Sequence, residues 1–226
     1  MSNKSVILVS GGLDSAANLA FSVDSGEPIL AITIRYGQRA SAQEVEAARK
    51  FTAYYQVPHR VVDLPWLGDL GGSSLTQGSS SVPQVKHDEL DNRSVTDQSA
   101  RAVWVPNRNG IFIHVAAAFA ERMGAEQVIV GFNVEEAATF PDNSEAYLNQ
   151  VTGALAFSTA NQVKVFSYTS AWNKKQIVSK LTQLSRKFPF EYVWSCYLGE
   201  SLPCGKCESC QRLLRATSGL ASRSIP

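Results

Sequence analysis

Short apolar, β-branched runs alternate with longer amphipathic stretches along most of this chain. Ser5-Val6-Ile7-Leu8-Val9 reads as a buried strand that stops before Gly11-Gly12, and the stretch from Asp14 to Phe21 reads as a helix closed near Gly26-Glu27-Pro28. Ile29 to Ile34 repeats the strand pattern, a helix rich in Ala and Glu follows from about Ser41 to Tyr55, and a strand comes next at His59 to Leu64. Further on, Ile111 to Met123 predicts a helix that Gly124 stops in the left-handed conformation. A strand at Gln127 to Val130, a helix over roughly 144–159, a strand at Val163 to Phe166 and a helix from Lys174 to Leu184 complete the series. This alternation predicts an α/β fold: a doubly wound, mostly parallel sheet joined by right-handed crossovers. Ligands of such sheets bind beyond the carboxyl ends of the strands. Attention therefore falls on the residues after Val9, Ile34 and Val130.

One stretch breaks the pattern. Gly68 to Ala100 carries Gly71-Gly72-Ser73-Ser74 and Gly78-Ser79-Ser80-Ser81 but little periodic apolar content. It predicts a long flexible loop, a lid or an excursion over the site, with regularity returning at Ala102-Val103-Trp104-Val105. With 226 residues, 44% of them hydrophobic, the chain suits one globular domain and a small appendage. The expected division is a catalytic domain over 1–185 and a metal-binding segment over 186–226. A net charge of +1 lacks the basic footprint of a dedicated nucleic-acid binder but leaves room for a small anionic ligand. The apolar run before Ser10 is too short for a signal peptide or a membrane span, so the chain is expected in the cytoplasm, with neither membrane nor nucleic acid as a partner.

Ser10-Gly11-Gly12-Leu13-Asp14-Ser15 lies between a buried strand and a helix start. Paired glycines let the backbone turn sharply and approach a ligand closely. Free N–H groups at a helix N-terminus favour an anion, and Ser10 and Ser15 add hydroxyl donors. No Gly-Lys-Ser/Thr ends this loop and no third spaced glycine follows, so neither the Walker nor the dinucleotide pattern applies. The plainer alternative is a strand-to-helix turn in which Asp14 or Ser15 caps the helix.

The four cysteines lie close together near the C-terminus. Cys204, Cys207 and Cys210 form two overlapping Cys-x-x-Cys pairs, and Cys196 stands a short loop upstream. In a reducing compartment such a cluster favours metal over disulfides. Four thiolates fill a tetrahedral zinc ion and leave no position for water, so the ion would be structural. An iron–sulfur cluster and a redox Cys-x-x-Cys pair are the alternatives.

The hexapeptide resembles the PP-loop of the ATP pyrophosphatases. That resemblance implies that Ser10, Gly11, Gly12, Leu13, Asp14 and Ser15 shape the pyrophosphate site of Mg2+-bound ATP. With the terminal cysteines, and over most of its length, the chain resembles the 7-cyano-7-deazaguanine synthase family. Tyr36-Gly37-Gln38-Arg39 matches the segment after the second strand, Val105-Pro106-Asn107-Arg108-Asn109 looks like the family's Val-Pro-Gly-Arg-Asn, and Asn173-Lys174 opens a late helix as in the family. Membership implies that the carboxylate of 7-carboxy-7-deazaguanine is adenylated by ATP, that ammonia displaces AMP, and that a second activation and dehydration yields the nitrile. It also implies a homodimer. By the same resemblance Lys174 and Arg108 contact phosphate and, with Asp14, form the catalytic set, while Arg39 contacts phosphate or substrate.

The family pattern is altered in one place. Glu135 to Ser144 is one residue shorter than the family's segment, Phe140, Asn143 and Ser144 replace Tyr, Cys and Arg, and Ala40 stands where the family has His. Asn133, Glu135, Asp142 and Asn143 there offer donors and acceptors suited to a guanine-like edge. The rival readings are a tRNA-modifying PP-loop enzyme, for whose RNA-binding domain the chain has no room, a relative that serves another acceptor, and a non-catalytic nucleotide-binding protein with a zinc staple.

Overall fold

A computed structural model describes residues 4–76 and 81–220. The expectations for Met1-Ser2-Asn3 and for the Gly78-Ser79-Ser80 part of the loop fall outside the described residues. In chain order the elements are β1 (Lys4–Leu8), α1 (Leu13–Ser25), β2 (Glu27–Arg35), α2 (Ser41–Tyr55), β3 (His59–Asp63), a single turn α3 (Trp66–Asp69), α4 (Arg93–Val103) and α5 (Arg108–Met123). There follow β4 (Gln127–Ile129), a turn α6 (Val134–Ala137), α7 (Glu145–Ser158), β5 (Lys164–Phe166), α8 (Lys174–Leu181) and α9 (Glu208–Thr217).

All strand pairings are parallel, in the order β3-β2-β1-β4-β5. Period-two alternation supplies both faces. Ile7 and Ala31 join the core under α1, α2 and α8, whereas Val6, Leu30, Ile32 and Ile34 join the core under α5 and α7. A strand buried on both sides reads as a continuous apolar run, which is why these strands were visible in the sequence. Winding outward from β1 and then returning to β4 on its other side places a topological switch point between β1 and β4.

The stretch 68–100 is not one long loop. Its C-terminal part forms α4, whose N-cap Asn92 accepts from Ser94 N at 3.1 Å. The buried face of α4 is Thr96, Ser99, Ala100 and Val103, helical in spacing but built of small and hydroxylated side chains. The segment after α8 shares the main core, since Phe188, Phe190, Val193 and Ala216 pack with α1 and α2. Trp194 N also donates to the carbonyl of Gly11 at 2.9 Å, tying this segment to the turn after β1. Among the described residues no helix is long and apolar enough to cross a membrane.

Candidate active site

The turn after β1 opens a cleft at the switch point. Gly11 has φ +82°, and a Cβ there would lie 2.6 Å from the Cβ of Ala47, so the turn requires glycine. Gly12 is the N-cap of α1 and no side chain caps that helix. The plainer reading, with Asp14 or Ser15 as the cap, is therefore not what the loop does. Instead the Ser15 hydroxyl braces the loop internally, accepting from Ser10 N at 3.1 Å and donating to Gly12 O at 3.1 Å. Uncapped N–H groups at the start of a 13-residue helix make this a ready anion site. From the other side of the switch point, Gly131 presses so close that a Cβ on it would lie 2.6 Å from Ser15 N.

Lys174 enters from α8. Asn173 and Gln176 form a reciprocal capping box, with both bonds at 2.9 Å, which fixes the first turn of α8 and hence the origin of the Lys174 side chain. The Lys174 ammonium is buried against Asp14 and lies 2.9 Å from Glu136 Oε1. Burial works against its charge, yet the two carboxylates together hold its pKa above the usual lysine value. Burial pushes Asp14 up to about 6, against the pull of Lys174 and with the help of Glu136 and Glu135. Burial also opposes ionisation of Glu136, but Lys174 leads the cations that keep its carboxyl below the ordinary range. One lysine between two carboxylates leaves the cluster net negative. Asp14 Oδ1 is buried and has no hydrogen-bond partner, so the donor set fits a divalent cation beside the anion site.

Arg108, the first residue of α5, lines the same cleft. Its guanidinium donates to the Tyr36 hydroxyl at 3.3 Å and lies 5.8 Å from the centroid of that ring. Ser10, Gly12, Leu13, Asp14, Ser15, Arg108, Lys174, Glu135 and Asn143 thus meet around one cavity. Arg39 is placed differently: its Nε donates to Ser74 O at 3.0 Å and its backbone N to Leu75 O at 2.8 Å, so it secures the strand-like segment that carries Leu75 into the cleft wall. Asn133 is fully buried and caps α6 by accepting from Glu136 N at 3.0 Å. Asp142 is not among the residues that line the cleft, and its carboxylate has the Asn109 side chain as a partner and feels the charge of Arg108. Glu135 lines the cleft but is spoken for, accepting from Lys174 N at 2.8 Å and from Arg212 and Arg215, both at 3.0 Å. Glu44, Glu136 and Tyr197 also face the cavity, with no motif to announce them.

The thiol cluster lies next to this site. The Sγ atoms of Cys196, Cys204, Cys207 and Cys210 all lie within 4.8 Å of one another, and Cys204 and Cys210 are 3.9 Å apart. Four thiolates at about 2.3 Å from one tetrahedral ion stand about 3.8 Å apart, so the set fits a metal. Backbone N–H groups of Leu198 and Cys204 point at Cys196 Sγ, and that of Cys207 at Cys204 Sγ, each at 3.3 Å. Hydrogen bonds from the neighbouring thiols lead the effects that push the Cys196 pKa down. The metal-site helix α9 then reaches the cleft: Arg212, paired with Glu208 at 2.8 Å, also holds Glu135. Through Glu135 the cysteine cluster is mechanically continuous with the N-terminus of α8 and Lys174.

A five-stranded parallel sheet with an uncapped glycine turn at its switch point defines a doubly wound α/β protein with an anion site at the carboxyl ends of its strands. A 4-thiouridine synthetase solved with RNA and bound ATP shares that fold with a TM-score of 0.51 at 18% identity, covering 96% of this chain and 50% of the other. The chain belongs to the family described as queuosine biosynthesis protein QueC, whose pattern matches residues 4–220. It is similar to the 7-cyano-7-deazaguanine synthase of Desulforamulus reducens, at 51% identity over 96% of this chain and 94% of the relative. It also resembles that of Methanosarcina mazei, at 45% identity over 94% of this chain and 93% of the relative.

Proposed function

We propose that the chain makes 7-cyano-7-deazaguanine from 7-carboxy-7-deazaguanine and ammonia at the expense of ATP. The observation that carries this reading is the buried Asp14–Lys174–Glu136 cluster beside the uncapped N-terminus of α1, in a chain nearly half or more identical to synthases of that name. A carboxylate is a poor electrophile, and its conversion to an acyl adenylate supplies a good leaving group. The protein's share is to position the reactants and neutralise phosphate charge.

In this reading Ser10, Gly11, Gly12, Leu13 and Ser15 hold the pyrophosphate end of ATP, and Lys174 and Arg108 neutralise the charge that develops as it leaves. Asp14 and Glu136 would hold Mg2+, which would offset the negative charge of the phosphates there. Asn143 and Phe140, which line the cleft beyond them, meet the base. Cys196, Cys204, Cys207 and Cys210 would hold Zn2+ as a staple, with no open position for chemistry. Residues 186–226 act as the metal-binding segment of a cytoplasmic homodimer, on the family resemblance. Asn133, Glu135, Asp142 and Arg39 shape the walls of the site and do not contact the ligands.

Substrate labelled with 18O in its carboxylate tests the adenylation. Attack of that oxygen on the α-phosphorus leaves label in AMP once ammonia displaces it, and activation of the amide sends the second labelled oxygen the same way. Label in AMP supports the reading; label in pyrophosphate, or unlabelled AMP, contradicts it.

A further inference from the structure

Five carboxylates line the cleft: Asp14, Glu44, Glu135, Glu136 and Glu208. Four of them are held by cations. Lys174 pairs with Asp14 and Glu136, Arg212 and Arg215 with Glu135, and Arg212 with Glu208. Protonating a carboxylate in a close ion pair forfeits the pair, so that even Asp14, which burial pushes up to about 6, is committed to Lys174 rather than open to a new proton donor. Tyr36 and Tyr197 also line the cavity, but burial raises both phenols above their ordinary pKa, so they stay protonated. None of the chain's three histidines lines it.

Glu44 is the exception. Among the described residues it makes no salt bridge, and its hydrogen bond comes from Gln38 Nε2 to Oε2 at 2.8 Å. Gln38 is itself buried and fixed, with Oε1 accepting from Tyr36 N at 2.8 Å and Nε2 also donating to Ile34 O at 3.1 Å. One carboxylate oxygen is therefore held rigidly, and the other is left for whatever enters the cleft. Glu44 sits in the first turn of α2 beside the phosphate turn, close enough that a Cβ on Gly11 would come 3.0 Å from its carbonyl oxygen. Burial raises its carboxyl above the ordinary range, with Gln38 and then Arg108 offsetting part of that effect. That is the direction a general base working near neutral pH requires.

We infer that Glu44 is the proton acceptor of the amide-forming step. The assignment deepens the adenylating reading and rests on it. As ammonia attacks the acyl adenylate, its lone pair forms the N–C bond. The C–O bond to AMP breaks and its electron pair leaves on the phosphate, while the proton shed by nitrogen passes to the Glu44 carboxylate. Glu44 then returns that proton to solvent. Formation of the nitrile again strips protons from the same nitrogen, so one base in this place serves both halves of the reaction.

The test separates the two halves. Glu44→Gln keeps the size of the side chain and an oxygen for Gln38 but cannot accept the proton. Substrate-dependent exchange of pyrophosphate into ATP reads adenylation, and single-turnover formation of the amide from ammonia reads the next step. The expected result is a loss of about 10²–10⁴ in amide formation with exchange changed by a few-fold at most, and partial recovery in Glu44→Asp. Persisting exchange also shows that the variant is folded. Amide formation at the wild-type rate in Glu44→Gln overturns the assignment, as does a parallel fall of both half-reactions, which would make Glu44 a support for the ATP site. If the wild-type protein itself shows no exchange, the adenylating reading fails and Glu44's role with it.

Discussion

Replacing Gly131 with alanine puts a methyl group 2.6 Å from Ser15 N, 2.7 Å from Ser15 Cα and 2.8 Å from the carbonyl carbon of Asp14. All three neighbours are backbone, so no side chain can swing aside. Ordinary contact begins near 3.4 Å, and the start of α1 must therefore retreat by about 0.8 Å. Overpacking of this kind costs about 2 kcal/mol, or about 6 °C in melting temperature for a chain of this size. The retreat displaces the phosphate turn itself, and a misplacement near 1 Å costs up to about 100-fold in rate. Gly153 supplies the control: it lies inside α7, where a Cβ would meet nothing within 4 Å. Gly153→Ala should stabilise by about 0.4–1 kcal/mol and leave activity alone. Thermal unfolding and substrate-dependent ATP–pyrophosphate exchange on both variants decide the matter. A Gly131→Ala protein that melts and exchanges like the wild type would refute the claim that the segment after β4 abuts the proposed phosphate-binding turn.

Lys174→Met leaves Asp14 and Glu136 buried without their shared cation and should cost about 3 kcal/mol in urea unfolding, together with exchange activity; an unchanged midpoint would mean that the lysine is not buried between them. His59 is held below its ordinary pKa of 6.5 by burial first and by Arg49 second, while its ring nitrogen meets Thr33 Oγ1 at 2.8 Å. A base depressed by folding contributes stability that is present above 6.5 and lost as pH falls through the lower folded value. The melting temperature should therefore drop on acidification below neutrality, and less steeply in His59→Gln; identical slopes would contradict this. Cys207→Ser, or a strong chelator, should remove one metal ion per chain by elemental analysis and lower the melting temperature. Metal retained at wild-type stoichiometry would show that the four thiols are not its ligands.

The inner strands were legible because they are buried on both faces, so that Val6 to Val9 is an unbroken apolar run and Ile29 to Ile34 is interrupted only by Thr33. The glycine turn after β1 and the cysteine cluster were legible because each lies within a short stretch of sequence. What escaped was structure assembled from distant or unremarkable positions. The helix α4 hides behind a face of Thr96, Ser99 and Ala100 that offers no apolar period. α9 buries Glu208 and Arg212, charged residues that read as solvated until their mutual pairing is seen. Glu44 lies in an Ala- and Glu-rich helix whose other acid, Glu46, points outward, so only the fold picks out which one meets the cleft. Arg39 and Glu135 have the residue type expected of ligand contacts, and the fold adds partners that the sequence does not announce: the segment at 73–76 for Arg39 and the arginines of α9 for Glu135.

The most direct test incubates the purified protein with Mg-ATP, ammonium and 7-carboxy-7-deazaguanine and follows the products by mass spectrometry. The account predicts the nitrile, with AMP and pyrophosphate released for each activation and none released without the carboxylate. Intact ATP in a folded, metal-loaded protein would contradict it.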